Sequence, residues 1–340
     1  MKMRVLTNWF VLVVFAFLLS ACSQESKVIA LSGNTMGTTY HIKIMPGKKA
    51  IDGKALQVRI DKALEAVNDQ MSTYRPDSEL SRFNQMSSHN TINVSPDTVK
   101  VINEAIKLYK ITDGALDITV GPLVNLWGFG PDKRPVTEPT QAEIDKQKAR
   151  TGIQYIQIDG TRLGKTHDDL YVDLSSIAKG FGVDKVAALL DEYQPQGYLV
   201  EVGGEIRLKG TKDDHQAWRI AVEQPSEEGV AVQQVITPGD MSMATSGDYR
   251  NYYEEDGQQF SHLIDPRTGY PIKHRLASVT VLNKDCMVAD GYATAMMVLG
   301  TKAALALAKR ENLAIMLIEK RDDGFKVFYS DAFKPYVSVK

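Results

Sequence analysis

The sequence predicts an α+β protein in which mixed and antiparallel sheets pack with helices. Apolar residues recur at helical spacing along several stretches, the clearest being residues 56–71. From Ile153 onward the apolar runs shorten and become strand-like. No internal repeat and no low-complexity linker divides the chain, and 340 residues are enough for one large domain or two intimate ones.

The composition excludes a disordered chain and gives no sign of a polyanionic partner. Hydrophobic residues make up 43% and charged residues 24% of the chain, so a substantial core can form. The formal net charge of −2 becomes −4 once the two cations Lys2 and Arg4 are removed with the segment described next, so we expect no nucleic-acid partner. Cys286 is then the only thiol, which excludes an intramolecular disulfide, and its apolar neighbours predict a buried, inert side chain.

The N-terminal segment is typical of a lipoprotein signal peptide. Two cations precede an apolar run at residues 9–19, which is too short to span a bilayer well and ends in Leu-Ser-Ala-Cys. This pattern resembles a bacterial lipobox, in which Cys22 carries the lipid. We therefore expect residues 1–21 to be the signal peptide and residues 22–29 to be a tether. A signal peptide without lipid attachment is the alternative.

The N-terminal half is predicted to contain one strand and several helices. Tyr40, Ile42 and Ile44 alternate with polar residues, as in a half-buried strand. Ser95 before Pro96 has the pattern of an N-cap followed by proline at the first helical position. The predicted elements are a turn at residues 35–38, a strand at 40–44, a helix at 56–71, a short helix at 77–84 and a helix from 96 to 109.

The connection at residues 112–130 follows neither a helical nor a strand period, and glycines punctuate it. We interpret it as a structured segment that faces a ligand. Residues 131–139 are predicted to form a polar loop. Thr140 and Glu143 then make a capping box that opens a small helix.

The C-terminal half is predicted to alternate strands with two main helices. Gly180 and Gly182 lie inside the first, where each costs ~1 kcal/mol relative to alanine, so we expect a neighbouring backbone to approach closely there. Gly300 is expected to end the second. The predicted strands are at residues 156–158, 170–174, 198–202, 218–222, 230–236, 277–282, 314–318 and 325–329, and the predicted helices are at 176–192, at 288–299 and after Gly300.

The junction at residues 171–182 is a candidate anion site. It runs from an apolar strand into a helix through Asp173, two serines and Lys179. Exposed N–H groups and the positive end of the helix dipole favour a phosphate at such a helix start, and a lysine would complete the cradle. A helix capped by Asp173 or Ser175, with a solvated Lys179, is the alternative.

Asp290 and Thr294 form a candidate cation site. Residues four apart on a helix face the same side, so the pair presents one carboxylate and one hydroxyl together. Mg²⁺ takes oxygen ligands and is often completed by water and substrate phosphates, so few protein ligands are needed. The alternative is a carboxylate that only stabilises the start of the helix.

His262 is the candidate base, because it alone among the six histidines lies in a cluster of hydroxyls and turn residues, just ahead of an Asp-Pro turn. A structural histidine is the alternative. Dinucleotide-type glycine fingerprints, phosphate loops ending in Gly-Lys-Ser/Thr, paired-histidine zinc motifs and cysteine pairs are absent from the sequence. Familiar nucleotide-binding folds are therefore disfavoured.

Seven motifs together, spread in order over nearly the whole mature chain, resemble the ApbE family of FAD:protein FMN transferases. The resemblance implies a single ApbE-like (T-fold-like) domain over residues 30–340, with the active site between two subdomains. It also implies transfer of FMN from FAD to a threonine of a target protein, with magnesium as cofactor and AMP released. The motifs are at residues 35–38, 71–74, 112–130, 173–180, 245–247, 262–269 and 289–295.

The resemblance implies a role for each site residue. His262 would activate the acceptor threonine, with a carboxylate or the magnesium itself as the alternative. Gly291 stands where alanine is common, and Ala293 stands where some relatives have an acidic ligand. The implied FAD contacts are Met36, Tyr74, Ala115, Leu116, Asp117, Asp173, Lys179 and Ile264, and the implied magnesium ligands are Asp290, Thr294 and the backbone carbonyl of Ser176.

The expected partners follow from the same resemblance. They are FAD, threonine-bearing subunits of membrane electron-transport complexes of the NQR or RNF type, and the membrane through a lipid anchor. We expect the protein to face the periplasm, on the inner membrane by family, with the outer membrane as the alternative. Rival functions are an FAD pyrophosphatase, a flavin-binding or flavin-storage lipoprotein and a general solute-binding lipoprotein.

Overall fold

The computed structural model of the chain describes residues 28–130, 138–225, 231–248, 252–255 and 258–338. The predicted signal peptide, Cys22 with most of the tether, and most of the predicted polar loop lie outside these residues. The strands are β1 (Ile29–Thr35), β2 (Thr38–Met45), β3 (Thr91–Asn93), β4 (Ile156–Asp159), β5 (Arg162–Lys165), β6 (Gly197–Val202), β7 (Glu205–Gly210), β8 (Ile220–Glu223), β9 (Val232–Ile236), β10 (Ser242–Gly247), β11 (Tyr252–Glu255), β12 (Gln258–Ser261), β13 (Leu276–Asn283), β14 (Ala314–Arg321) and β15 (Gly324–Tyr329). The helices are α1 (Gly53–Met71), α2 (Glu79–Gln85), α3 (Pro96–Ile111), α4 (Gly121–Leu126), α5 (Gln141–Lys148), α6 (Ala178–Asp191) and α7 (Cys286–Glu311), with short 3₁₀ turns at Ile153–Tyr155, Asp213–His215 and Lys334–Tyr336.

An antiparallel sheet of eight strands forms the frame, in the order β1-β2-β6-β7-β10-β13-β14-β15. Side chains alternate across it, so Tyr40, Ile42 and Ile44 of β2 pack with α1 and α6 on one face, whereas Met45 packs with β8, β9 and the C-terminal segment on the other. The strands β3-β5-β4 form a smaller sheet, and β8–β9 and β11–β12 are hairpins. The predicted α+β class with antiparallel sheets is confirmed.

Turns and caps predicted from local patterns are present. Thr140 and Glu143 make the reciprocal capping box of α5, and Ser95 caps α3 ahead of proline. Gly300 has φ 76° and ψ 168°, so it interrupts α7 where a helix end was predicted. Met36 and Gly37 both have positive φ, which is the turn chemistry that closes the β1–β2 hairpin.

Helix α7 runs through the largest hydrophobic core. It is long and apolar enough to span a membrane, but most of its apolar stretch is buried inside the protein. Its buried residues pack against α3, α6, β10 and β13. The helix is therefore a core element, and Cys286 at its start is fully buried as expected.

The predicted strand at residues 170–174 is wrong. This segment pairs with no strand of the described residues, because the side-chain amide of Asn84 bonds to both backbone groups of Val172, at 2.8 Å each. The helix predicted from residue 176 starts later, at Ala178, and is preceded by Ile177 without a side-chain cap. Asp173 accepts instead from the N–H of Ser175 at 2.8 Å, which makes a local turn ahead of the helix.

The remaining differences are elements with weak local signals. Strands β1, β3, β5, β7, β10, β11 and β12 and the short helix α4 were not predicted. The three-residue β3 and the four-residue β5 are stabilised by pairing with each other and with β4 rather than by a pattern of their own.

Candidate active site

Two adjoining cavities open on one side of the large sheet. The first has a volume of about 920 Å³ and lies between the β1–β2 turn, the end of α1 and the loop after it. The second has a volume of about 690 Å³ and lies between residues 115–130, β10, the turn after β12 and α7. Their common lining residues are Thr73, Tyr74, Asp173, Ser175 and Lys179.

The structure brings twelve of the thirteen sequence-predicted site residues to these cavities; Cys22 lies outside the described residues. Met36 lines the first cavity, and Tyr74, Asp173 and Lys179 line both. The others line the second cavity: Ala115, Leu116, Asp117, Ser176, His262, Ile264, Asp290 and Thr294.

Asp290 is held by contacts between α6 and α7. Asp184 of α6 accepts from the N–H groups of Cys286 and Met287, at 3.0 and 2.9 Å, and so caps the start of α7. One turn on, Asp290 accepts from the N–H of Gly180 at 2.9 Å. A Cβ at Gly180 would lie 2.4 Å from the carbonyl oxygen of Cys286, so the close approach predicted from this glycine is present.

Buried charges of both signs meet at this point. Asp290 is only 3% exposed, and burial, followed by the charge of Glu205, raises its pKa to about 8. Lys179 and the Gly180 N–H act in the opposite direction. Burial alone would lower the pKa of Lys179, but the carboxylates of Glu205 and Asp290 outweigh it and raise that pKa.

The donor atoms around Asp290 suit a hard cation. Thr294 lies one turn further along α7, and its hydroxyl is 3.4 Å from the hydroxyl of Ser246 on β10. Ser176 lines the same cavity. One buried carboxylate and hydroxyl or carbonyl oxygens fit Mg²⁺ completed by water and phosphate oxygens. Among the described residues, no three His, Cys, Asp or Glu side chains cluster as a metal site of their own.

The predicted ligand-facing connection is hydrogen-bonded to the junction at residues 171–182. The N–H of Asp173 donates to the carbonyl of Ile118 at 2.7 Å. Asp117 accepts from the N–H and hydroxyl of Thr119, at 2.8 and 2.6 Å, and burial raises its pKa despite these bonds. Residues 115–117 and Asp173 all line the second cavity, and the bond to Ile118 links these two parts of its lining.

His262 follows β12 and lines the second cavity together with Asp290 and Thr294. Its ring meets that of Phe129 edge to face, with centroids 6.4 Å apart. The turn after it is held by the indole N–H of Trp127, which donates to the carbonyl of Gly269 at 2.9 Å. The histidine thus reaches the cavity from a supported turn.

Sequence reasoning missed several residues that build the site. Glu205 is 1% exposed and forms an ion pair with Lys179, and it accepts from the N–H of Thr245 at 3.2 Å. Its signal in the sequence is an acid directly after Gly-Gly between two apolar strands. The caps and clamps made by Asp184 and Asn84 had no local signal, because their partners are 102 and 88 residues away.

Comparison with known proteins places these features in context. Residues 36–317 match the model of the ApbE family. An FAD:protein FMN transferase of Vibrio cholerae is 53% identical over 331 residues, covering 97% of this chain and 99% of the relative. One of Escherichia coli is 41% identical over 321 residues, covering 93% and 91%.

Solved structures agree with the sequence comparison. The flavin transferase ApbE from Vibrio cholerae superimposes with a TM-score of 0.85 at 53% identity, covering 91% of this chain and 99% of that one. The apo form of the Pseudomonas stutzeri flavinyl transferase ApbE gives a TM-score of 0.85 at 39% identity, covering 92% and 98%.

Proposed function

This chain belongs to the ApbE family, and from that premise we propose that it is an FAD:protein FMN transferase that joins FMN to a threonine of a target protein. One observation carries the proposal. Lys179, on the wall that the two cavities share, lies beside Gly180, whose N–H holds the buried Asp290. A lysine and a cation ligand are thereby placed together, which is what cleavage of a pyrophosphate requires.

The proposed reaction breaks one bond to phosphorus and forms another. The threonine oxygen attacks the phosphorus of the FMN half of FAD, the bond to the bridging oxygen breaks, and AMP leaves with that electron pair. The threonine proton passes to a base. Attacking and leaving oxygens lie roughly in line, so catalysis depends mainly on positioning and charge neutralisation.

Lys179, Asp290 and His262 each have a part in this scheme. Lys179 would donate to phosphate oxygens, and Asp290, Thr294 and the carbonyl of Ser176 would hold the cation. Mg²⁺ bound there would supply charge neutralisation on the pyrophosphate. His262 lines the same cavity and would accept the threonine proton, with a carboxylate or the cation as the alternative activator.

The remaining predicted residues would bind FAD. Tyr74 is 75% exposed at the edge common to both cavities, where an aromatic side chain can pack on a planar ring. Met36, Ala115, Leu116 and Ile264 would offer apolar contacts, and Asp117 and Asp173 polar ones.

The acceptor and the location are proposed from sequence. The lipobox at Cys22 supports a lipid anchor that faces the periplasm, on the inner membrane or alternatively the outer one. The expected acceptors are threonine-bearing subunits of membrane electron-transport complexes of the NQR or RNF type.

The test is to incubate the purified protein with FAD, Mg²⁺ and a threonine-bearing acceptor domain. Flavin fluorescence on the denatured acceptor, with one AMP released per flavin attached, is the expected result. No covalent flavin would contradict the transferase. AMP and free FMN forming at the same rate with and without acceptor would indicate a pyrophosphatase instead.

A further inference from the structure

Glu205 is a buried carboxylate to which the proposed reaction assigns no part. It is the first residue of β7 and is only 1% exposed. One oxygen pairs with the ammonium of Lys179 and the other accepts from the N–H of Thr245 at 3.2 Å. A buried acid is costly unless it is paired and hydrogen-bonded, and here its two partners belong to two different walls of the second cavity.

The hairpin between β6 and β7 forms a seat for the whole lysine side chain. Gly203 and Gly204 have φ of 56° and 97°, and the N–H of Gly204 donates to Glu201 at 2.6 Å. A Cβ at Gly203 would lie 2.8 Å from Thr38 and 3.4 Å from Cδ of Lys179. The backbone of Gly203 therefore packs against the aliphatic part of Lys179, while Glu205 forms an ion pair with its ammonium.

Two carboxylates influence that ammonium. Glu205 accepts its hydrogen bond, and the charge of Asp290 also acts on it. An ammonium has three donors, so pairing with Glu205 leaves two for a ligand in the cavities. Asp290 accepts from the N–H of Gly180, the residue after Lys179, at 2.9 Å. Without Glu205, Lys179 could pair with Asp290 instead, and this pairing would occupy the proposed cation ligand.

We propose that Glu205 is a positioning residue for the transfer reaction: it holds Lys179 at the wall shared by the two cavities and keeps it from pairing with Asp290. This inference rests on the proposed function, because it assumes that Lys179 binds the phosphates of FAD. Glu205 itself lines neither cavity and acts through the lysine.

The test is FAD binding by Glu205→Gln, followed by flavin fluorescence. The amide carries no charge and has one acceptor oxygen, so it cannot accept from Thr245 and also form an ion pair with Lys179, and we expect FAD affinity to fall about tenfold. In turnover assays, KM for FAD should rise more than kcat falls. The thermal unfolding temperature should stay close to that of the wild type, because Lys179 is partly exposed and its ammonium can reach water.

A double-mutant cycle with Lys179→Met isolates the route of the effect. If Glu205 acts through the lysine, adding Glu205→Gln to Lys179→Met should change FAD affinity no further. Glu192→Gln is the matched control, because Glu192 lies at the far end of the helix that carries Lys179, pairs with exposed Arg59 and lines neither cavity, so the FAD affinity of this variant should equal that of the wild type.

Two results would overturn the inference: unchanged FAD affinity in Glu205→Gln, or the same loss in the Lys179→Met background. If Glu205→Gln does not fold, Glu205→Asp serves instead. It keeps the charge on a shorter side chain, and any loss of affinity must again disappear in the Lys179→Met background. A wild-type protein that attaches no flavin contradicts the proposed function, whereas normal transfer with an unaffected Glu205→Gln contradicts this inference alone.

Discussion

Asp290 is a single carboxylate that the fold buries between two charged neighbours. Replacement by alanine removes the proposed cation ligand and the acceptor for the Gly180 N–H. We expect Asp290→Ala to abolish flavin transfer, and excess Mg²⁺ should not restore it fully. Asp285→Ala is the matched control, since Asp285 is an exposed residue at the start of the same helix whose side chain makes no capping bond. Normal activity of Asp290→Ala would contradict the proposed metal site at this residue.

The raised pKa of Asp290 predicts a pH-dependent stability in the absence of metal. An acid whose pKa is about 8 when folded and near 4 when unfolded opposes folding once it ionises. The contribution of protonated Asp290 to the unfolding free energy is therefore fully present below pH ~4 and is lost as pH rises through about 8. In EDTA, Asp290→Asn should unfold near the wild-type temperature at low pH and several degrees higher at alkaline pH. Circular dichroism measures the unfolding temperature of both proteins at each pH. A difference between the two temperatures that does not change with pH would contradict the raised pKa of Asp290.

Asn84 supports Asp173 from a distance. Its amide makes both backbone bonds of Val172, and Lys165 donates to the carbonyls of Asn84 and Leu170 at 2.9 and 3.1 Å. Asn84→Ala should lose about 2 kcal/mol of unfolding free energy and weaken FAD binding, because the segment before Asp173 loses its partners. Urea denaturation and flavin titration measure the two effects. Exposed Gln85, next on α2, is the control position, and equal effects of Gln85→Ala would contradict the clamp.

The role of a single residue could be predicted from the sequence where its partner lies nearby in the chain. The spacing of Asp290 and Thr294 could be recognised because a helix places residues four apart on one face. Glu205 could not be assigned, because its burial depends on Lys179, which is 26 residues away on another element. Side chains that hydrogen-bond to backbone groups far away in the chain produce no periodic pattern in the sequence.

The contact between α6 and α7 depends on one missing methyl group. A Cβ at Gly180 would collide with the backbone carbonyl of Cys286. A Cβ at Gly182 would come too close only to the end of the Met36 side chain, at 2.8 Å, with Leu64 at an ordinary contact distance of 3.5 Å. Gly180→Ala should therefore lose roughly 1–3 kcal/mol of stability, in spite of the higher helix propensity of alanine. Gly182→Ala should change stability little, because a methionine end can move. Thermal unfolding measures the stability of both variants. Equal losses of stability would show that the close approach of α6 to α7 does not explain the effect of Gly180→Ala.

Elements were predictable where their caps are local. The starts of α5 and α3 followed from short motifs at Thr140 and Ser95. The segment at residues 170–174 has a strand-like composition, but Asn84 satisfies its backbone in place of a neighbouring strand. Local preference cannot distinguish these two partners.

The order of strands in the large sheet is a property of the whole molecule. Strand β10 lies between β7 and β13, and the helix that carries Asp290 follows β13 directly. Short apolar runs of similar composition do not specify which neighbour they pair with, so the class could be predicted from the sequence and the topology could not.

Membrane attachment is expected from Cys22, which lies outside the residues that the structure describes. Because α7 is a core helix, Cys22 is the attachment point that we propose. Cys22→Ser should move the protein from the membrane fraction to the soluble fraction and leave its FAD affinity unchanged. Ser23→Ala keeps the thiol and should remain with the membrane. Cell fractionation measures both, and a membrane-bound Cys22→Ser protein would refute lipid attachment at this residue.

If Cys22 carries a lipid, as we propose, strand β1 limits the distance between the active-site cavities and the bilayer. Its seven residues end at the turn that lines the first cavity, and at ~3.3 Å per residue they span ~23 Å. The six residues between Cys22 and Ile29 can add at most ~20 Å when fully extended. With Cys22 lipidated, the cavity stays within ~45 Å of the lipid surface. We therefore expect an acceptor threonine to lie within this distance of the membrane, where anchoring of both proteins would raise their effective concentration.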